Sequence, residues 1–243
     1  MPFSLWNIGA TVHAWLRVPS RVAWRDKDVG QTTSLIFAGV GGQGVLLIAE
    51  LTARAAIRAG YDAKQTEVHG VSQRGGGVES HVRFGRTVHS PLVMPGQADV
   101  VIGLEKLEAL RFAHYVQARG ESTHAGDRLW HGVLLVNDHE IVPASVAGAE
   151  EKYPHQALEF LREKGYHVIA LPASQRARDL GDGRMANVIL LGALSQMLEL
   201  PFEVWLETLR DRLAEKYREA NLRAFEIGRE LLSLPEGIAP ARA

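Results

Sequence analysis

The most informative absence in this sequence is cysteine, which does not occur in its 243 residues. Without cysteine the chain forms no disulfide bond. It also supplies no thiolate as a ligand for an iron–sulfur cluster or as a catalytic nucleophile. Any iron–sulfur cluster that serves this protein must therefore be held by another chain.

Long apolar runs and a strong net charge are also lacking. No segment reaches the roughly 18 apolar residues of a transmembrane helix. The formal net charge is −1, so there is no strong field to attract nucleic acid. Polar, basic or proline residues interrupt the N-terminal region, so we expect no signal peptide. We predict a cytoplasmic protein with no nucleic-acid partner and no membrane partner.

The composition predicts one folded domain between an N-terminal extension and a C-terminal tail that differ from it in composition. Residues 1–30 form an N-terminal extension that contains Trp6, Trp15 and Trp24 together with four basic residues. Two interpretations stay open for it: a disordered leader, or a docking arm with tryptophan anchors. We predict a single domain over 31–233 and a loose tail over 234–243.

The order of apolar segments indicates an α/β fold. Short apolar or alternating runs predict strands, and the segments between several of them predict helices. The polar segment 62–68 does not have the pattern of a buried strand. We therefore predict a three-layer, Rossmann-like fold with a largely parallel sheet and C-terminal helices. The predicted strands are 34–38, 78–84, 98–102, 133–136 and 168–171, and the predicted helices are 45–59, 107–118, 155–164, 187–200 and 203–232.

A first glycine-rich turn links the first predicted strand to the first predicted helix. Gly39, Gly41 and Gly44 have the spacing of dinucleotide-binding turns, in which the helix N-terminus attracts an anion. Such sites also need an acidic residue after the second strand, and Asp62 and Glu67 have the distance but polar surroundings. A nicotinamide site is one interpretation, and glycines that only pack the helix on the sheet are the other.

A second glycine-rich loop follows at 69–77. It combines a hydroxyl, an amide, a guanidinium and permissive backbone, which together could hold a phosphate or carboxylate. We expect the two loops to meet at one edge of the sheet. The predicted ligand-binding residues are Gly39, Gly41, Gly42, Gln43, Gly44, His69, Ser72, Gln73, Arg74, Gly75 and Gly76.

Other catalytic and metal-binding patterns are missing from the sequence. The ten histidines are scattered, and none pairs with another at helical spacing beside an acidic residue. There is no nucleophile elbow and no P-loop. We predict no metal site and no catalytic residue on this chain, and we expect Asn187, at the start of an apolar helix, to lie at a subunit interface. An exposed apolar patch on the helix 187–200 should mark that interface.

Several stretches in order resemble the gamma-type domain of 2-oxoacid:ferredoxin oxidoreductases over roughly 33–230. The resemblance rests on the two glycine loops, on 80–85, 98–105, 107–111 and 136–138, and on 187–192 and 221–225 near the end. Within the family, the segment 69–74 is most similar to the small subunit of the indolepyruvate type. The extension 1–30 and the long insertion near 121–131 depart from the family pattern.

The resemblance implies a cluster-free subunit that is inactive alone. The complex would convert an aryl pyruvate and coenzyme A to acyl-CoA, CO₂ and reduced ferredoxin. A large partner subunit would carry thiamine diphosphate with Mg²⁺ and the [4Fe–4S] clusters, and this chain would hold none of these cofactors. A subunit for pyruvate or ketoisovalerate, an autonomous NAD-dependent dehydrogenase and a scaffold that binds nothing remain alternatives.

Overall fold

The computed structural model describes residues 32–69, 76–117, 132–142 and 153–232. Six strands and seven α-helices lie in these ranges. The strands are β1 (Thr33–Val40), β2 (Asp62–His69), β3 (Gly77–Gly85), β4 (Val100–Gly103), β5 (Val133–Asn137) and β6 (His167–Leu171). The helices are α1 (Val45–Arg58), α2 (Lys106–Phe112), α3 (Ala157–Glu163), α4 (Ala173–Asp179), α5 (Ala186–Met197), α6 (Phe202–Arg212) and α7 (Glu215–Leu231).

The strands form one mixed sheet in the order β2-β3-β1-β4-β5-β6. β1, β4, β5 and β6 pair in parallel, whereas β3 is antiparallel to both β1 and β2. Only β3 therefore runs against the common direction. The predicted α/β fold with a largely parallel sheet is confirmed.

Alternate residues of the central strands supply two separate apolar cores. Leu35, Phe37 and Ile102 point to the face covered by α1 and the C-terminal helices. Ile36 and Val101 point to the opposite face, which is covered by α2 and α3. Because successive side chains of a strand alternate between faces, near-continuous apolar runs produce the three layers.

The strand β2 was not predicted, because its sequence is polar. It forms the outer edge of the sheet, and its residues from Asp62 to Thr66 are only half-buried. An edge strand needs apolar side chains much less than a central strand does. The carboxylate of Asp62 accepts a hydrogen bond from the backbone N–H of Val88 (2.7 Å), which holds the chain after β3.

The C-terminal helices α5 and α7 pack with their backbones in direct contact. A Cβ atom on Gly192 would overlap the carbonyl oxygen of Phe225, and one on Gly228 would overlap that of Ile189. α5 is therefore buried along almost its whole length. The expectation that the helix 187–200 exposes an apolar patch is wrong, because α7 covers it within the same chain. The single long helix predicted over 203–232 is also wrong, since α6 ends at Arg212 and α7 begins at Glu215.

Of the helices in the described ranges, none combines the length and apolar character needed to cross a membrane. The predicted division into 1–30, 31–233 and 234–243 stays a prediction. The extension and the tail lie entirely outside the described residues.

Gly192→Ala should lower the free energy of unfolding by about 3 kcal/mol, because an inserted methyl group must separate α5 from α7. Gly183→Ala is the control, since a Cβ there meets only the Cγ atom of Arg178, at 3.7 Å. Urea denaturation of the two variants measures the difference. Equal midpoints for both would contradict the close helix contact.

Candidate functional site

The two glycine loops meet at the carboxyl edge of the parallel strands. Val40 at the end of β1 pairs with Gly77 at the start of β3. The backbone N–H of Gly41 then donates a hydrogen bond of 3.0 Å to the carbonyl oxygen of Gly76. The antiparallel direction of β3 is what brings the end of the second loop beside the first turn.

The first turn requires glycine at two positions. Gly42 has φ +99° and Gly44 has φ +77°, both in the left-handed region that side chains rarely adopt. Gly44 precedes α1, and none of the described side chains caps that helix. The first backbone N–H groups of α1 and the helix dipole therefore favour an anion at this point.

Gln43 ties the turn to the neighbouring strand. Its Oε1 atom accepts a hydrogen bond from the N–H of Val40 (2.8 Å), and its Nε2 atom donates to the carbonyl oxygen of Leu104 (3.0 Å). A Cβ atom on Gly39 would lie 2.7 Å from Oε1 of Gln43. Gly39 thus makes room for the glutamine, which fixes the ends of β1 and β4 together.

A buried amide continues this network to β5 and α4. Nδ2 of Asn137 donates to the carbonyl oxygen of Leu104 (3.1 Å) and to Oγ of Ser174 (2.8 Å). Its Oδ1 atom accepts from the N–H of Ser174 (3.0 Å). Asn137 is 2% exposed, so these bonds form away from water and fix the geometry of the edge.

Two buried glutamates stand where β4 leads into α2. The side chain of Glu105 caps α2 by accepting from the N–H of Glu108, and it also accepts from the hydroxyl of Tyr153 (3.0 Å). Burial and the Glu105 carboxylate raise the pKa of Tyr153, so its hydroxyl stays protonated. Burial raises the pKa of Glu108, and the Glu105 carboxylate adds to the effect.

A cation and two acids lie beside them. Nζ of Lys106 lies 2.8 Å from Oδ1 of Asp138 and 3.2 Å from Oε1 of Glu140. The bond to Asp138 raises the pKa of Lys106, so the ammonium group is retained. Bonds from His155 and Lys106 lower the pKa of Glu140 against the opposing effect of desolvation. The side chains of Lys106, Asp138 and Glu140 thus pair with one another, and they lie next to the carboxyl edge.

The residues of the edge suit an organic anion better than a metal ion. Among the described residues, no three His, Cys, Asp or Glu side chains are grouped as metal ligands. The chain has no cysteine for iron. These donors do not fit an iron–sulfur cluster, whereas the uncapped backbone N–H groups at the start of α1 fit a phosphate or carboxylate.

The architecture defines a Rossmann-like α/β domain with its candidate site at the carboxyl edge. Residues 34–231 match the pyruvate ferredoxin/flavodoxin oxidoreductase family, and the chain belongs to this family. It is 36% identical over 199 residues to the indolepyruvate oxidoreductase subunit IorB of Archaeoglobus fulgidus, covering 80% of this chain and 92% of the relative. The same subunit of Thermococcus kodakarensis is 36% identical over 210 residues, covering 83% and 98%.

A solved structure shares the fold. The gamma subunit of keto/oxoacid ferredoxin oxidoreductase from Geobacter sulfurreducens superposes with a TM-score of 0.58 at 24% identity. The superposition covers 82% of this chain and 98% of that subunit. This likeness shows that the two chains share a fold.

The structure brings together only part of the predicted ligand-binding set. Gly39, Gly41, Gly42, Gln43, Gly44 and Gly76 lie at the meeting point of the two loops. His69 ends β2. Ser72, Gln73, Arg74 and Gly75 lie outside the described residues, so their part in a site stays a prediction.

Asn187 lies inside the chain at the first turn of α5, 7% exposed. A Cβ atom on Gly44 would overlap its side-chain nitrogen, so the two residues are in direct contact. The side chain of Asn187, at the start of α5, therefore packs against the glycine turn. Its predicted place at a subunit interface stays a prediction.

The sheet order bears on the dinucleotide interpretation. In a Rossmann site the acidic residue ends the parallel strand next to the glycine turn. Here β3 lies between β1 and β2, so Glu67 near the end of β2 is one strand further away. Asp62 begins β2 and lies at the opposite end of the sheet. Neither acid has the position that the ribose of NAD requires.

Four buried polar residues at the edge were not predicted as site residues: Glu105, Glu108, Asn137 and Ser174. A usable signal was present, because Glu105 and Asn137 come at or just after the ends of predicted parallel strands. Side chains at these ends converge on the same edge. Ser174 gave no such signal, since the short helix α4 that carries it was not predicted.

Asn137→Asp should lower the free energy of unfolding by about 3 kcal/mol at pH 8. A carboxylate oxygen would then face the Leu104 carbonyl oxygen in place of a donor. The loss should shrink at pH 5, because burial raises the folded-state pKa of the new acid and its protonated form can donate again. Gln175→Glu, an exposed amide-to-acid change, should cost no more than about 0.5 kcal/mol. Thermal unfolding at both pH values distinguishes these cases, and a pH-independent loss contradicts the network.

Proposed function

We propose that the chain is the small subunit of an indolepyruvate:ferredoxin oxidoreductase and that it works only in a hetero-oligomer. The observation that carries the proposal is family membership over 34–231, joined to relatives named as indolepyruvate oxidoreductase subunits. The match covers 92% and 98% of those two relatives, which supports a subunit of the same kind.

The absence of cysteine supports separate roles for the chains of the complex, with the iron–sulfur clusters bound by another chain. The family name requires electron transfer to ferredoxin or flavodoxin, and this chain has no thiolate to bind a cluster. We infer that a large partner subunit binds the [4Fe–4S] clusters and thiamine diphosphate with Mg²⁺. Thiamine on that partner would supply the electron sink that decarboxylation of a 2-oxoacid needs.

This chain would contribute a rigid edge to the shared active site. The Gln43–Leu104–Asn137 hydrogen bonds hold the ends of β1, β4 and β5 in fixed register. The N-terminus of α1 would then present backbone N–H groups to a phosphate of coenzyme A or to the substrate carboxylate, with Arg74 as the charged partner. Such a site orients an anionic substrate without taking part in bond making.

Two alternatives make different demands on the same edge. A subunit for another 2-oxoacid, such as pyruvate or ketoisovalerate, would keep this edge, because the proposed anion site recognises a group common to all these substrates. A dinucleotide dehydrogenase would require an acid beside the first turn, and the sheet order favours neither Asp62 nor Glu67 for that role.

Viologen reduction by the chain alone and by the chain purified with its large subunit tests the proposal. We expect activity that depends on indolepyruvate and coenzyme A in the complex only, since the isolated chain lacks the ligands for electron carriers. Pyruvate and ketoisovalerate in parallel assays determine the preferred 2-oxoacid. Activity of the isolated chain, or NAD reduction by it, would contradict the proposal.

Arg74→Ala in the complex should raise the KM for coenzyme A or for the oxoacid about 10- to 100-fold, the range for one lost charge-assisted hydrogen bond. Arg86→Ala is the matched control, because Arg86 is exposed just after β3, at the opposite end of the sheet. Steady-state kinetics with each substrate varied separates the two ligands. Unchanged KM and kcat in the Arg74 variant would remove the arginine from the proposed site.

A further inference from the structure

One carboxylate oxygen at the edge is buried and has no partner among the described residues. Glu108 lies in the first turn of α2 and is 3% exposed, and no described residue forms a hydrogen bond with its Oε2 atom. The other oxygen, Oε1, lies 3.5 Å from Nε of Arg111, a side chain that is 59% exposed. An incompletely paired carboxylate is costly to bury, so the interactions of the described residues do not account for this position.

The groups that face Glu108 are mostly acidic. Burial raises the pKa of Glu108, and the carboxylates of Glu105 before α2 and Glu79 on β3 raise it further. Arg111 on α2 acts in the opposite direction. Burial also raises the pKa of Glu79, which the charge of His114 partly offsets. In the described part of the chain, the carboxyl groups of Glu105 and Glu79 thus lie near that of Glu108, and the exposed Arg111 is the positive charge that acts on it.

The unpaired oxygen faces the end of the second glycine loop. A Cβ atom on Gly77 would lie 3.2 Å from Oε2 of Glu108, closer than ordinary van der Waals contact. Gly77 itself is exposed. Glycine at this position therefore spares the buried carboxylate the close contact that a side chain would make there.

We propose that Glu108 is the receptor for one organic cation, a guanidinium or an ammonium group, that lies beside Gly77. A cation would supply the missing donor to Oε2 and offset the charges of Glu105 and Glu79. A metal ion is less suitable, since the described part of the chain groups no three metal-ligating side chains. The cation comes either from a partner subunit or from a basic residue of this chain.

The carbon-13 NMR titration of the Glu108 carboxyl in the full-length chain, with labelled glutamate, is the first test. The resonance that Glu108→Gln removes identifies the residue. A pKa below the ordinary 4.5 means that a cation of this chain is already in place, and its rise in Arg74→Gln would identify the source. A raised pKa in the isolated chain leaves the partner subunit as the source, which the second measurement decides.

The second measurement is the affinity of the chain for its large subunit between pH 4 and pH 8. If the partner supplies the cation, the Glu108 pKa is raised in the free chain and lowered in the complex. Association then releases a proton and strengthens as pH rises from the pKa in the complex to the pKa in the free chain, by about tenfold per unit of pKa difference, and it levels off above that range. Glu108→Gln should abolish this dependence in that pH range.

Two variants separate the receptor from a purely structural acid. Gly77→Ala keeps every charge but places a methyl group 3.2 Å from Oε2, where the cation would bind. It should therefore raise the Glu108 pKa in whichever sample, free chain or complex, contains the bound cation. Arg111→Gln removes the exposed arginine and should leave the pH dependence of association in place. A Glu108 pKa that stays above 4.5 in the free chain, together with association that Glu108→Gln does not alter, overturns the proposal. None of these measurements uses catalytic turnover, so they test the cation site independently of the proposed enzyme activity.

Discussion

The carbonyl oxygen of Leu104 is the point on which the carboxyl edge depends. It accepts hydrogen bonds from Gln43 after β1 and from Asn137 at the end of β5, so one buried acceptor joins three parallel strands. Backbone pairing alone aligns strands along their length but leaves their last residues free to splay. Two side-chain amides directed at one carbonyl remove that freedom, and they fix the first glycine turn relative to the ends of β4 and β5.

The glycines around this network are explained by side-chain packing and do not by themselves define a binding motif. Gly39 leaves room for Oε1 of Gln43, and Gly44 leaves room for the side chain of Asn187. A dinucleotide fingerprint in the sequence therefore has a packing explanation at two of its three glycine positions. The same spacing still produces an uncapped helix start, which is why an anion remains the expected ligand although the acid for a ribose is out of position.

Much of the fold followed from the sequence because apolar runs determine buried strands. All the strands predicted from such runs are present, and the helix after the glycine turn was placed to within one residue of its observed end at Arg58. The polar edge strand β2 and the short helix α4 carried no comparable pattern. The division of the C-terminal helix pair was missed because Leu213 and Ala214 continue an amphipathic sequence while their backbone is extended.

The site was harder to predict than the fold because its determinants are relationships between distant residues. The glycine loops could be recognised locally, but the role of Gln43 exists only when Leu104 lies beside it. Glu108 has the sequence pattern of an ordinary first-turn acid, which a helix dipole stabilises at the surface. Glu108 is instead buried between Glu105 and Gly77. A buried carboxylate needs a hydrogen-bond donor or a positive charge beside it, whereas a solvated carboxylate does not. Because relatives of this chain are named as subunits, a partner subunit is one source of such a cation, beside a basic residue of this chain.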